Sequence, residues 1–206
     1  QPDYFKSGKK KSSLNDYAGA ISDFNKAIEI NSISDDLYLI YFQRGNAKRE
    51  IKDYQGAIND FKKVIEIQPN NYYAYNNLGN IFWGKLAIYN DGISYLNKAI
   101  EINPNYINAH LGRGNAKTLI KDYSGAIRDY KKVLRLDPEN VAAYDGIGST
   151  KLALKEYSEA IKYYTKSIKI DSGFKYAYVN RGEAKIALKD YSGAIIDINK
   201  AIEIDP

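Results

Sequence analysis

The chain has no cysteine, no methionine and only one histidine, His110, among its 206 residues. Without cysteine it can form no disulfide and no thiolate metal site, and it has no cysteine nucleophile. A single histidine cannot provide the several imidazole ligands of a histidine-rich metal site. We therefore expect no metal site and no cofactor, and we predict that this chain is not an enzyme.

Long apolar runs are also missing. Hydrophobic residues make up 44% of the chain, which is enough for a buried core, but no run approaches the length that spans a membrane. No segment has the layout of a signal peptide. We therefore expect no membrane insertion, and the compartment is unknown, with the cytoplasm as the default. Because the chain starts at Gln1 and contains no methionine, we expect it to be a piece of a longer protein.

Positive charge is in modest excess, since 30 lysines and arginines face 25 acidic residues and the net charge is +5. Most of the recurring lysines follow an aspartate by three residues, which predicts ion pairs on helix surfaces, at Asp23/Lys26, Asp60/Lys63, Asp129/Lys132 and Asp197/Lys200. The dense basic cluster of the chain is Lys6, Lys9, Lys10 and Lys11. Weak nucleic-acid binding through this cluster is therefore the third and least favoured hypothesis.

A glycine recurs at nearly constant intervals of 37, 34, 35, 34 and 34 residues, at Gly8, Gly45, Gly79, Gly114, Gly148 and Gly182. A fixed period in this range is typical of stacked supersecondary units rather than of one globular core. Each unit buries its apolar face against its neighbours. The period therefore indicates an elongated surface that is suited to binding.

Residues 107–140 show one period most clearly. In its second half, apolar or small residues recur at steps of three and four, which predicts one apolar helical stripe, at Tyr123, Ala126, Ile127, Tyr130, Val133 and Leu134. Candidate N-caps precede the equivalent stripes, at Asp16, Asp53, Asp122 and Asp190, with Glu156 as a weaker candidate. Prolines that stop the helix follow several of them, at Pro69, Pro104, Pro138 and Pro206. The first half carries a second stripe, so each period predicts two antiparallel helices, which we expect to cross at the small residues Gly114 and Ala126.

The third period carries the residues of a known repeat at its expected offsets: Tyr75, Leu78, Gly79, Phe82, Gly92, Leu96, Ala99 and Pro104. This pattern resembles the tetratricopeptide repeat family. The resemblance implies an all-α fold, a right-handed superhelical solenoid of about six antiparallel helix pairs. It implies a single array over residues 1–206, with repeats at 1–34, 38–71, 72–106, 107–140, 141–174 and 175–206. The departures are the extra residues Asp35 to Leu37 and one residue inserted between Gly79 and Gly92, which we expect to lengthen the turn or bulge the first helix.

An arginine precedes the recurring glycine in repeats two, four and six, and the same repeats carry an aspartate fifteen residues after that glycine. Repeats three and five instead pair Leu78 with Tyr95 and Ile147 with Tyr163. Because the two positions change together, we expect them to touch across the helix pair. We predict structural salt bridges, at Arg44–Asp60, Arg113–Asp129 and Arg181–Asp197. The alternative is that these arginines project into a groove and hold an acidic ligand.

In the tetratricopeptide repeat family the first helices of the repeats line a concave groove, which usually binds peptides or protein segments. The resemblance therefore implies groove-facing positions in repeats two to six, at Phe42, Asn46, Arg49, Tyr73, Asn76, Asn77, Asn80, Trp83, Asn108, Asn115, Thr118, Asp145, Ser149, Tyr176, Asn180 and Glu183.

Three asparagines, Asn46, Asn80 and Asn115, occupy one equivalent position in successive repeats. An amide offers both a donor and an acceptor, so this row is suited to the main chain of an extended peptide. The alternative is that the amides bond neighbouring helices or water. Tyr73 and Trp83 are candidate aromatic anchors, and Trp83 is equally a candidate core residue displaced by the insertion.

The leading hypothesis is a protein–protein interaction scaffold that binds a peptide or protein segment in the concave groove. The alternative is a self-assembly module, in which terminal repeats associate into a homo-oligomer because Ile195, Ile198 and Ile202 are exposed on the last helix. His110 stands where the repeat usually has a large aromatic residue, and we interpret it as a core side chain.

Overall fold

The computed structural model describes residues 3–30 and 36–205. These ranges contain twelve α-helices and no strand. The helices are α1 (Tyr4–Ser13), α2 (Tyr17–Ile30), α3 (Leu37–Glu50), α4 (Tyr54–Ile67), α5 (Tyr72–Gly84), α6 (Tyr89–Ile102), α7 (Ile107–Leu119), α8 (Tyr123–Leu136), α9 (Val141–Ala153), α10 (Tyr157–Ile170), α11 (Lys175–Ala187) and α12 (Tyr191–Ile204). The predicted all-α class is therefore confirmed.

The chain divides into two compact units, unit 1 (Gln1–Pro104) and unit 2 (Asn105–Pro206). Within each unit every helix packs against the next one in sequence, so each unit is a stack of three helix pairs. The pairs are antiparallel. In the last pair, for example, Arg181 on α11 contacts Asp197 on α12, whereas Lys185, one turn later, contacts the earlier residue Gly193.

Four of the five predicted N-caps are confirmed. The side-chain carboxylates of Asp16, Asp53, Asp122 and Asp190 each accept a hydrogen bond from the backbone N–H three residues later, at 2.9 to 3.0 Å. The prediction for Glu156 is wrong, since its side chain makes no capping hydrogen bond. Its longer side chain instead pairs with Lys151 Nζ at 2.5 Å.

Several helices also end where the sequence predicts, just before a proline. Helices α4, α6 and α8 each end two residues before a proline, at Pro69, Pro104 and Pro138. Pro206 and Asp35, which the sequence analysis also singled out, lie outside the described residues. The residue inserted in repeat three lengthens the turn: four residues separate α5 from α6, whereas three separate the two helices of the other pairs.

The recurring glycines lie where the two helices of a pair approach most closely. A β-carbon placed on Gly114 would lie 2.7 Å from Cε1 of Tyr130, and one on Gly79 would lie 2.5 Å from Cγ of Leu96. The facing side chains of α8 and α6 are fully buried. Close packing therefore accounts for five of the six recurring glycines, whereas a β-carbon on Gly182 would lie no closer than 3.4 Å to its neighbours, an ordinary contact distance.

The predicted pairing of aspartates with the lysine three residues later is wrong. Asp60 is only 3% exposed at its side chain and bonds Arg44 and Lys48 of the partner helix. Lys63 instead pairs with Glu66 on the outer surface. The aspartates face the interior of the helix pair, because the cations of the partner helix compensate the loss of hydration there.

Candidate functional site

The structure brings together the three arginine–aspartate pairs singled out in the sequence. Two parallel hydrogen bonds join each guanidinium to its carboxylate, with shortest N–O distances of 2.6 Å for Arg44–Asp60, 2.5 Å for Arg113–Asp129 and 2.6 Å for Arg181–Asp197. The aspartate side chains are between 2% and 4% exposed. This two-point geometry matches the planar fork of arginine.

A lysine four residues after each arginine also binds the same aspartate, although it was not among the residues predicted from the sequence. Lys48, Lys117 and Lys185 place Nζ at 2.7 to 2.9 Å from a carboxylate oxygen. The signal was present, because residues four apart share one face of a helix. Repeat one keeps this arrangement without arginine: Ser7 donates to Asp23 at 2.6 Å and Lys11 pairs with it at 2.8 Å.

Asp129 has the most cationic surroundings of the four aspartates. Burial alone would raise the pKa of its carboxyl group, but the hydrogen bonds from His110, Arg113 and Lys117 hold that pKa well below its usual range. His110 is 5% exposed, and its Nδ1 lies 3.3 Å from Asp129 Oδ1. The histidine is therefore buried, and it also contributes to a polar network that its sequence position did not reveal.

Two of the arginines extend their contacts to the preceding repeat. Arg44 Nη1 donates to Asn25 at 2.7 Å, and Arg181 Nη1 donates to Thr165 at 3.0 Å. Each guanidinium also lies over a tyrosine ring of its own helix, Tyr41 or Tyr178, with Cζ 5.3 or 5.6 Å from the ring centroid. These arginines therefore use their donors within the fold and link three successive helices.

The first-helix face of unit 1, formed by α3 and α5, carries a chain of amide contacts. Asn77 Nδ2 donates to Asn46 Oδ1 at 3.3 Å, and Arg49 Nη1 donates to Asn77 Oδ1 at 3.3 Å. Trp83 Nε1 donates to Asn80 Oδ1 at 3.0 Å. The oxygens of Asn46 and Asn80 are therefore occupied, which leaves their Nδ2 groups directed away from these bonds.

An open cavity of about 300 Å³ lies beside this face, between α3 and α5. Its lining includes Tyr38, Phe42 and Tyr73, and the rings of Phe42 and Tyr73 meet edge to face at 6.4 Å. Tyr73 is 47% exposed. Asn76 lies on the same helix as Tyr73, but it is buried, and its Oδ1 has no hydrogen-bond partner among the described residues.

Trp83 packs against the second helix of its own pair. A β-carbon on Gly92 would lie 2.7 Å from Cβ of Trp83 and 2.8 Å from its backbone nitrogen. The indole is half-buried. Trp83 therefore has contacts of both kinds that the sequence allowed. Its Cβ packs against α6, as a core residue would, and its Nε1 bonds Asn80 on the first-helix face.

The first-helix face of unit 2, formed by α7, α9 and α11, is rich in hydroxyl groups. The phenol of Tyr130 donates to Asn115 Oδ1 at 2.7 Å, and that of Tyr164 donates to Ser149 Oγ at 3.2 Å. Thr118 bonds Thr150 on α9 at 3.0 Å. Both tyrosines come from second helices, whereas all the predicted groove residues lie on first helices.

Asp145 lies on the same face and is half-buried. Burial raises the pKa of its carboxyl group to about 6, and a hydrogen bond from Asn180 Nδ2, at 3.4 Å, only partly opposes this effect. Glu183 is exposed on α11, as are Asn108 on α7 and Tyr176 at the start of α11. The structure therefore brings Asp145 and Asn180 into contact and leaves Asn108, Tyr176 and Glu183 at the surface.

The described residues contain no group of three or more histidine, cysteine, aspartate or glutamate side chains placed to hold a metal ion. Among the same residues, no helix combines the length and the apolar character needed to cross a membrane.

Several solved structures have the same fold. The MamA protein is 28% identical, with a TM-score of 0.69 over 84% of this chain and 93% of its own. A tetratricopeptide repeat protein from Parabacteroides merdae ATCC 43184 is 17% identical, with a TM-score of 0.88 over 99% of this chain and 79% of its own. YrrB, described as a TPR protein with an unusual peptide-binding site, is 20% identical, with a TM-score of 0.65 over 89% of this chain and 92% of its own.

Comparison with curated proteins found no match. A family model described as Tetratricopeptide repeat matches residues 4–33, 72–106, 107–140, 141–174 and 176–206, and a second model, described as TPR repeat, matches residues 45–85. Because the first model alone covers more than half of the sequence, the chain belongs to the tetratricopeptide repeat family.

Proposed function

We propose that this chain is a protein-interaction module that binds a peptide, or an extended segment of a partner protein, along the first-helix faces of its units. The observation that carries the proposal is the hydrogen bonding of the three recurring asparagines. Asn46, Asn80 and Asn115 each use Oδ1 as an acceptor within the fold, whereas no described residue accepts a hydrogen bond from their Nδ2 groups.

This arrangement favours recognition of a peptide main chain. An amide whose oxygen is held by Asn77, Trp83 or Tyr130 has a fixed orientation, so its two N–H donors are pre-organised for an incoming carbonyl oxygen. An extended peptide presents carbonyl groups at regular intervals. In unit 1, Asn46 and Asn80 lie on successive first helices, and the bond between Asn77 and Asn46 joins these two helices.

The aromatic cavity of unit 1 supports the same proposal. Phe42 and Tyr73 line a volume of about 300 Å³, which is at the lower end of the range for ligand pockets. An apolar side chain of the bound segment would fill it and bury the exposed part of Tyr73. One protein of this fold, YrrB, is described as having a peptide-binding site.

The test is selection from a random short-peptide display library on the wild-type protein. Dissociation constants of the selected peptides are then measured by fluorescence anisotropy for wild type, for Asn46→Ala/Asn80→Ala and for Asn59→Ala. Asn59 is the matched control, because it is an exposed asparagine on the second helix α4. We expect the double variant to bind at least about tenfold more weakly, as the loss of two hydrogen bonds implies, and the control to bind like wild type. Failure to select any peptide, or equal binding by the double variant, would overturn the proposal.

Self-assembly is a second candidate function, and a separate observation favours it. Ile195, Ile198 and Ile202 on α12 are 58%, 38% and 56% exposed, and together they form an apolar strip on one helix. A second copy of the chain is the occupant that this hypothesis assigns to the strip. Light scattering would then give a mass that rises with concentration for wild type and stays constant for Ile195→Lys/Ile202→Lys. A constant mass for wild type would exclude this function.

Nucleic-acid binding has the least support. Lys11, one of the four clustered lysines, pairs with Asp23 at 2.8 Å, and Lys9 lies over the ring of Phe5 with Nζ 5.6 Å from its centroid. Two of the four lysines therefore already have partners within the fold, so the cluster has less positive charge available for a nucleic acid than the sequence implies. Binding that weakens steeply with salt, and that is lost when Lys9 and Lys10 become alanine, would revive this hypothesis.

A further inference from the structure

Among the aspartates of the helix pairs, Asp145 differs in its partners. Asp23, Asp60, Asp129 and Asp197 each bind at least one lysine, and three of them also bind an arginine. Asp145 is half-buried on α9, yet no cationic side chain pairs with it in the part of the chain that the structure describes. Its hydrogen-bond partner is the neutral amide of Asn180, at 3.4 Å.

The lysines of the three helices that form this face are already committed elsewhere. Lys117 on α7 pairs with Asp129 and Lys151 on α9 pairs with Glu156, while on α11 Lys175 pairs with Asp205 and Lys185 pairs with Asp197. The fold therefore has no nearby lysine of this face to spare for Asp145. A half-buried carboxylate without a cation costs stability, and a cationic side chain from a bound partner would offset that cost.

Two buried phenols lie within electrostatic range of Asp145 and carry no positive charge that could pair with it. Burial raises the pKa of Tyr130 to about 12, and the charge of Asp145 adds to that increase. Burial likewise raises the pKa of Tyr164, with contributions from Asp145 and Glu183. Both phenols therefore stay neutral near physiological pH, and both donate their protons to Asn115 or Ser149. Both tyrosines are at most 1% exposed, so a ligand does not reach their hydroxyl groups, and Asp145 is the group that it meets.

We propose that the first-helix face of unit 2 binds a lysine or arginine side chain of the partner segment, with the Asp145 carboxylate as its counter-charge. An ammonium or guanidinium group provides the positive charge that Asp145 lacks, and it donates the hydrogen bonds that a carboxylate accepts. Glu183, at the exposed edge on α11, attracts the cation during approach. This inference rests on the proposed function and adds the chemistry of one side chain of the ligand.

The test uses the whole chain and the same random peptide library, selected in parallel on wild type and on Asp145→Asn. Wild type should enrich peptides with a lysine or arginine at one position, and the variant should lose that enrichment. For a selected peptide, replacing the basic residue with norleucine (lysine) or citrulline (arginine) should weaken binding to wild type about tenfold or more and leave binding to Asp145→Asn unchanged. Asp91→Asn, at an exposed aspartate on α6, is the control of equal charge change and should behave like wild type.

The outcomes separate this inference from the proposed function. Peptides that depend on Asn46 and Asn80, but show no basic preference and bind Asp145→Asn as tightly as wild type, would overturn this inference alone. If no peptide is selected, the proposed function fails and this inference fails with it. Thermal unfolding of Asp145→Asn by circular dichroism, with a midpoint no lower than that of wild type, excludes misfolding as the cause of lost binding.

Discussion

The ring of Tyr130 on α8 lies directly against the backbone of Gly146 on α9. A β-carbon at position 146 would lie 2.5 Å from Cε1 and 2.6 Å from Cζ of this ring, far inside normal contact distance. Gly114, on the other helix that packs against α8, meets the same ring, with a corresponding distance of 2.7 Å. Tyr130 therefore passes between two glycines, and its hydroxyl reaches Asn115 on the first-helix face of unit 2.

Replacing Gly146 by alanine should lower the free energy of unfolding by about 1–3 kcal/mol, because the buried ring cannot move away without disturbing its neighbours. Gly84→Ala is the control, since no heavy atom lies within 4 Å of a β-carbon there, and it should leave stability unchanged or raise it by up to about 1 kcal/mol. Urea unfolding followed by circular dichroism measures both. Equal stability of the two variants would contradict the contact.

The exchange of Arg113 and Asp129 for the residues of repeat three tests how the two positions depend on each other. Arg113→Leu should lower the free energy of unfolding by about 2–3 kcal/mol, because Asp129 stays buried and loses its two-point partner, although Lys117 and His110 remain. Arg113→Leu/Asp129→Tyr recreates the Leu78 and Tyr95 combination and should recover at least half of that loss. Urea unfolding of the two variants gives the coupling.

Lys98→Ala, which removes an exposed ion pair with Glu101, is the control for the loss of one positive charge and should unfold close to wild type. A double variant less stable than Arg113→Leu would show that the two positions do not compensate each other in repeat four.

The uncapped start of α10 offers a gain in stability. Glu156→Asp should raise the free energy of unfolding by about 0.5–1 kcal/mol, because an aspartate at this position can accept the hydrogen bond that Asp122 accepts from Gly125 at the start of α8. Asp122→Ala should lower it by about 1 kcal/mol. Thermal unfolding detects both changes, and Glu156→Ala is the matched control, with little expected effect. No gain for Glu156→Asp would mean that the turn before α10 holds the carboxylate away from the backbone.

Asp145 should make stability depend on pH in the direction opposite to Asp129. The folded-state pKa of Asp145 is raised to about 6, above its ordinary value of 3.8, so its neutral form favours the fold below about pH 4 and this contribution is lost as pH rises through about 6. Asp145→Asn should therefore be about 1–2 kcal/mol more stable than wild type at neutral pH, a value reduced for solvent screening, and equal to it below about pH 4.

Thermal midpoints of wild type and Asp145→Asn across this pH range measure the effect. The neighbouring Tyr130 and Tyr164 have raised pKa values and remain neutral throughout, while the lowered pKa of Asp129 keeps it ionised until lower pH. An advantage of the variant that grows as pH falls would contradict the burial of Asp145.

Local chemistry explains why helix boundaries followed from the sequence. The caps at Asp16, Asp53, Asp122 and Asp190 bond an N–H only three residues away, so the pattern carries all the needed information. Glu156 makes no capping bond because one additional methylene changes the reach of the carboxylate, and a cation five residues earlier in the chain, Lys151, pairs with it instead.

Contacts between helices were harder to predict from the sequence than helix boundaries. The alternation of Arg113 with Leu78 and Ile147 pointed to a partner across the helix pair, because both members of the pair change together. The additional bond from His110 to Asp129 left no such trace, because the chain has a single histidine, whereas the lysine that also binds Asp129 recurs four residues after each arginine and could have been found. That the residues of the first-helix faces bind a peptide stays a prediction, because the resemblance places these positions and the fold gives only their mutual contacts.

The sequence alone determined the repeat period, the helix pairs, most of their caps and the family, because these features depend on spacing and on interactions within a few residues. The tertiary structure decided which groups are satisfied and which are not. Asn46 and Asp145 look alike as polar residues on first helices, but one has its oxygen held by Asn77 while the other is half-buried without a cation. The physical reason is that burial and hydrogen bonding at these positions depend on side chains from several packed helices at once.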